Sequence, residues 1–187
     1  MDIDRILRRC RTALGQNALP PRDTTDLDLF EETEVAGERV LLDTCVIIDQ
    51  LQGRLPAEVE ARILARTIIH SSIVLGEMSF LIGNLDPGHK DTATVVGRIT
   101  SLLGEIPDHR IMPLLPEDLI RGNVLSGSMA RVLGYPKEAR RKGQNDAVLA
   151  AQTSRLGCLL VTRNVGDFDR LSQLDPKLRV AFYGISP

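Results

Sequence analysis

From Arg39 onward, short wholly apolar runs alternate with longer stretches of helical periodicity. Val40-Leu41-Leu42, Thr67-Ile68-Ile69-His70, a segment around Arg110–Leu114, Cys158-Leu159-Leu160-Val161 and Leu178–Tyr183 read as strands. None alternates polar with apolar, so each is expected to be covered on both faces. Between them, Ala57–Ala65 reads as a helix opened by Pro56, and Ile73–Leu81 as a helix with Ser72 as its N-cap. His89–Leu103, Pro116–Leu133 and Asn145–Arg155 read as helices too, the last ended by Gly157. Strands alternating with helices, without an internal repeat, predict an α/β fold. The expected form is a three-layer α/β/α arrangement around a central, mostly parallel sheet of 4–5 strands.

Residues 1–39 break this rhythm. Ile3, Ile6, Leu7 and Cys10 fall at helical spacing over Ile3–Arg9, Leu19-Pro20-Pro21-Arg22 is a breaker, and Asp23–Glu34 carries six acids. The stretch is expected to be an N-terminal extension, partly linker and largely solvated, followed by one domain over 40–187. The acidic segment could also lie over a basic groove, or the first helix could add to an interface.

In a parallel sheet, ligands bind beyond the carboxyl ends of the strands. Asp43 ends the first strand, Glu77 lies just inside the helix after the second, Asp146 opens a helix, and Asp167 follows the fourth strand. Each alone is an ordinary strand-end or first-turn acid. Glu77 is less ordinary, because Ile73–Gly76 and Met78–Ile82 around it are almost entirely apolar. Several carboxylates at one edge cannot all ionise without a cation, and all-oxygen donors suit Mg²⁺ or Mn²⁺. Such an ion activates water for attack on a phosphodiester. Thr44, Thr162 and Asn164 stand beside these acids and are candidates to hold them in place.

Bulk composition adds exclusions. The chain has 187 residues, a formal net charge of −2, and no apolar run approaching the ~18 residues of a membrane helix. Cys10, Cys45 and Cys158 are far apart, and His70, His89 and His109 lack ligand spacing, so no structural zinc site is expected. An odd set of free thiols and no secretory leader suit the reducing cytoplasm. The near-zero net charge hides an asymmetry: residues 1–39 sum to −3 and residues 40–187 to +1. Arg131, Lys137, Arg140, Arg141 and Lys142 gather just before Asp146, and Arg163 stands beside Thr162. These six are candidate contacts for an RNA backbone.

Four segments, in order, resemble PIN-domain ribonucleases: Leu41-Leu42-Asp43-Thr44-Cys45-Val46-Ile47-Ile48, Ser71–Glu77, Asn145-Asp146-Ala147-Val148-Leu149-Ala150-Ala151, and Leu160–Phe168. In style they are most similar to VapC-type toxins of bacterial toxin–antitoxin pairs. The resemblance spans about residues 40–183. It implies a PIN-like fold, Mg²⁺- or Mn²⁺-dependent endoribonuclease activity, an acidic site of Asp43, Glu77, Asp146 and Asp167, a VapB-like antitoxin as partner, and a homodimer. Cys45 departs from it, standing where many relatives have Asn or Ser, and is expected to pack as a small hydrophobe. The N-terminal extension is not implied by it.

Three alternatives are weaker or separable. A haloacid-dehalogenase-like phosphatase would match Asp43 and Gly166-Asp167 but needs an Asp where Cys45 stands. Gly88-His89-Lys90 lacks the upstream glycine spacing of a P-loop. A non-catalytic PIN-fold module that binds RNA or protein remains the competing reading.

Overall fold

The computed structural model of the chain describes residues 1–34 and 37–184; positions 35–36 of the extension and 185–187 of the domain lie outside the described residues. In chain order the elements are α1 (Ile3–Arg9), α2 (Arg11–Gly15), β1 (Arg39–Leu42), α3 (Thr44–Leu51), α4 (Ala57–Leu64), β2 (Thr67–Ser71), α5 (Ser72–Asn84) and α6 (Thr92–Gly104). They continue with β3 (Ile111–Met112), α7 (Pro116–Val132), α8 (Gln144–Leu156), β4 (Leu159–Thr162), α9 (Val165–Leu174) and β5 (Arg179–Phe182).

The five strands pair in the order β3-β2-β1-β4-β5, all parallel, with Val40 registered against Ile68 on one side and Leu159 on the other. Every residue of β4 is buried, as a non-alternating apolar run predicts. Helices α3, α5 and α6 pack together in one layer, while α7, α8 and α9, joined by α1 and α2, form the other. This is the division that right-handed crossovers impose when the chain steps outward from β1 and then returns past it to β4. The topology therefore reverses between β1 and β4, the point at whose carboxyl edge ligands bind in open parallel sheets. The fold is the PIN-like α/β/α sandwich expected, with the sheet wholly parallel.

Some local expectations change. The sequence pattern names no helix between Asp43 and Pro56, yet α3 stands there, started by Asp43 Oδ1 accepting the Thr44 N–H at 2.7 Å. The cap of α5 is Ser71, not Ser72: Ser71 Oγ accepts the Ile73 N–H at 3.2 Å. Ser72 instead accepts the Leu114 N–H at 3.2 Å and so ties down the segment after β3.

The largest correction concerns residues 1–34, which are not a solvated tail. Ile6, Cys10, Ala13, Leu19, Leu27 and Phe30 are buried, Phe30 completely, and four of them belong to the main core. Arg22 pairs with buried Asp169, Arg131 Nη2 donates to the carbonyls of Ala13, Leu14 and Gln16, and the Phe182 N–H donates to Asp28 at 2.8 Å. The acidic segment does not lie over Lys137–Lys142. Arg62 donates to the Thr33 carbonyl at 3.1 Å and Arg66 to that of Glu34 at 2.6 Å, toward the amino-terminal edge of the sheet. Isolated apolar residues among prolines and acids give no periodic signal, but each one fills a place on the core.

Candidate functional site

Asp43 follows β1 directly and is only 5 % exposed. Its Oδ2 accepts the Thr162 hydroxyl at 2.6 Å and the Cys45 thiol at 3.0 Å. The thiol thus packs against the core, as expected, and is a polar partner of Asp43 as well. It also accepts the Arg163 N–H at 3.3 Å, and burial followed by the charge of Asp43 pushes it up to about 12. An α-helix beginning at Thr44 turns that hydroxyl toward α5, where it donates to Glu77. The other oxygen of Glu77 accepts Asn145 Nδ2 at 2.8 Å.

Asp146 and Asp167 approach from the opposite layer, in the first turns of α8 and α9. Asn164 joins them: Nδ2 lies 3.3 Å from Asp146 Oδ2 and 3.3 Å from Asp167 Oδ2, while its Oδ1 accepts the Asp167 N–H at 3.3 Å. Thr162 Oγ1 accepts the Asn164 N–H at 2.9 Å. One chain of hydroxyls and amides therefore threads between the four carboxylates, and Thr44, Thr162 and Asn164 are three of its members. Burial, then the charges of Asp43, Asp167 and Glu77, push Asp146 up to about 7. Among the described residues no Lys or Arg pairs with any of the four acids.

The chemistry of this donor set fits a hard divalent cation, since it is all oxygen and its crowding leaves one carboxyl reluctant to ionise. Among the described residues, no three His, Cys, Asp or Glu side chains converge closely enough to hold a metal ion as they stand. Each of the four carboxylates accepts a hydrogen bond from a neutral donor instead.

The basic candidates separate into groups. Lys137, Arg140, Arg141 and Lys142 are exposed on the connection into α8. That connection approaches the acids through Gly143, at φ 72°, where a Cβ would lie 4.0 Å from both Asp146 Oδ2 and Asp167 Cγ. Arg131 is turned away, bound to the carbonyls that end α2. Arg163 pairs with Asp49, a residue the sequence reading passes over. Asp49 is 2 % exposed and accepts Arg163 Nε at 2.9 Å, Arg54 Nη2 at 3.0 Å and the Tyr183 hydroxyl at 2.9 Å. Burial alone would raise its carboxyl, but the hydroxyl and the two guanidiniums hold it below the usual range. The available signal was a lone acid inside the apolar run Val46–Leu51.

No family model and no curated protein sequence matches the chain. Solved structures do match it in fold. VapBC2 from Rickettsia felis, bound to a DNA fragment from its promoter, contains a chain that superposes with a TM-score of 0.57 at 19 % identity, over 78 % of this chain and 98 % of that one. A chain of FitAcB from Neisseria gonorrhoeae gives 0.56 at 21 % identity over 76 % and 96 %, and one of DNA-bound VapBC from Salmonella typhimurium gives 0.56 at 18 % over 78 % and 98 %. At these identities the likeness establishes the fold, and it spans nearly the whole of each matching chain.

Proposed function

We propose that the chain is a metal-dependent endoribonuclease that hydrolyses RNA phosphodiesters, with 40–187 as its nuclease domain, and that it acts in the cytoplasm as the toxin of a type II toxin–antitoxin pair. The observation that carries this reading is the edge itself: Asp43, Glu77, Asp146 and Asp167 crowd together with only neutral donors, and burial together with the neighbouring acids lifts Asp146 to about 7. A structural cluster would place an arginine or lysine among them.

Mg²⁺ or Mn²⁺, held by Asp43, Glu77, Asp146 and Asp167, would activate water for attack and steady the departing oxygen. The chain's own groups prepare that arrangement. Thr44, Thr162, Cys45, Asn145 and Asn164 fix the carboxylates by hydrogen bonds before any substrate arrives. Lys137, Arg140, Arg141 and Lys142 supply phosphate contacts that set the position of the strand without reading its bases. A VapB-like antitoxin and a second copy of the chain are the partners proposed; the solved structures of similar fold are VapBC and FitAB assemblies. No helix among the described residues is long and apolar enough to cross a membrane.

The test is cleavage of structured RNA with Mg²⁺ or Mn²⁺, comparing the native chain with Asp43→Asn and Asp146→Asn. Cleavage by the native chain alone supports the proposal. A folded chain that binds Mn²⁺ and RNA but cuts no RNA supports the non-catalytic module. The toxin role is checked by expression, which should arrest growth for the native chain and not for Asp43→Asn.

A further inference from the structure

The edge carries a second built feature, one strand-width or two beyond the acids. Arg163 follows β4 and Tyr183 follows β5, and both meet Asp49 from α3. Arg54 closes the group, donating through Nε at 3.2 Å and Nη2 at 3.0 Å to Asp49 Oδ1. With Arg163 Nη2 also donating to Asp49 Oδ1 at 3.3 Å, five hydrogen bonds saturate one buried carboxylate. Both guanidiniums stay in solvent, with the Arg54 side chain 58 % and the Arg163 side chain 51 % exposed. Their Nη1 groups make no hydrogen bond to the described residues. Two fixed guanidiniums around one acid leave a net positive charge, oriented rather than mobile, and a planar fork of N–H groups suits phosphate.

The placement matters as much as the charge. The Arg163 N–H touches the Cys45 thiol, which itself donates to Asp43, so the fork adjoins the carboxylates. Strands lie about 4.8 Å apart, and β4, which Arg163 follows, is the immediate neighbour of β1 along the edge. At ~3.4 Å per stacked nucleotide that is about one to two nucleotides of one strand. The Lys137–Lys142 segment leads into α8 and Arg54 follows α3, helices of the two opposite layers.

We propose that Arg54 and Arg163 form a phosphate-binding fork for the RNA strand close beside the cut, and that Asp49 is its positioning residue. The inference rests on the ribonuclease reading above and adds to it a second point of grip on the substrate.

The experiment measures binding of a mixed-sequence single-stranded RNA oligonucleotide by anisotropy across a salt series, in the cleavage-silent Asp43→Asn background with Mg²⁺. Arg54→Gln, at an exposed position, should flatten the slope of log affinity against log salt by about 0.7, the value of one lost phosphate contact. Arg54→Lys keeps the charge but not the fork and should still weaken binding several-fold. Asp49→Asn should also weaken it several-fold, although it removes a negative charge. In the cleaving chain, Arg54→Gln should raise KM with kcat little changed. An unchanged slope for Arg54→Gln, or tighter binding by Asp49→Asn or by Arg54→Lys, overturns the fork. If the parent binds no RNA at any salt, the ribonuclease reading fails and the fork falls with it; if the parent binds and only the Arg140→Ala/Arg141→Ala change flattens the slope, the fork alone is wrong.

Discussion

Asp118, deep between α7 and α8, and Asp43, at the end of β1, are about equally hidden from solvent but keep opposite company. Asp118 receives Arg155 through Nε at 2.7 Å and Nη2 at 2.8 Å, a two-pronged ion pair. Asp175 likewise meets Arg121, Asp169 meets Arg22, and Asp49 meets Arg54 and Arg163. Asp43 has a threonine hydroxyl, a thiol and a backbone N–H, with three further acids nearby. A buried acid beside an arginine is neutralised by the fold and holds elements together. A buried acid among other acids is left to be neutralised from outside. Burial does not separate the two regions; the sign of the neighbouring charge does.

The sharpest way to break this contrast is to remove one acid from each region. Asp43→Asn should cost at least about 10³-fold in metal-dependent RNA cleavage, roughly 4 kcal/mol of barrier, while the metal-free protein melts at the same temperature or higher. Asp118→Ala should do the reverse. Stranding Arg155 is expected to cost about 3–5 kcal/mol, a melting point lower by about 10 °C, with cleavage at low temperature within about twofold of native. Equal effects of both changes on melting would erase the distinction.

The pH dependence of the metal-free protein is a milder probe. Folding raises the Asp146 carboxyl from 3.8 to about 7, so the folded chain holds that proton more tightly than the unfolded one. The stability this confers is complete below about pH 4 and is lost as pH rises through about 7, on the order of 4 kcal/mol in all. Asp49, whose carboxyl is lowered, acts in the opposite sense and only below about pH 4. Chemical denaturation from pH 4 to 8 should therefore show a decline that Asp146→Asn abolishes; stability rising over that range would contradict the crowding. Smallest of all, Arg131→Gln should lower stability by about 1 kcal/mol and loosen residues 1–16 in hydrogen exchange. It should leave the salt dependence of RNA binding as it is, unlike Arg140→Ala/Arg141→Ala.

Much of the fold was legible because the strands are short buried runs with unambiguous caps beyond them. Leu159–Val161 between Gly157 and Thr162 is the plainest case. Helix α3 was not, because its Val46-Ile47-Ile48 core is β-branched and continues the apolar character of β1. The edge where Asp43, Glu77, Asp146 and Asp167 meet was legible from their places after strands and at helix starts. Asp49 was invisible for the opposite reason: its partners Arg54, Arg163 and Tyr183 come from three separate parts of the chain, and no local spacing announces them. The packing of residues 1–34 was hidden in the same way, since its contacts are made with residues far along the chain, from Arg62 and Arg66 to Arg131 and Asp169.

Because β1 lies between β2 and β4, the order in which the chain is made differs from the order in which the sheet is filled. Val40 finds Ile68 soon after both exist, but its other neighbour, Leu159, comes late, and residues 1–34 wait later still for Asp169 and Phe182. Asp43 consequently emerges first among the edge acids and spends most of the chain's synthesis without Asp146, Asp167 or the hydroxyl of Thr162. Contacts so distant in sequence form slowly. An unfinished chain thus carries no assembled edge, and whatever chemistry belongs there begins only once β4 and α9 have docked.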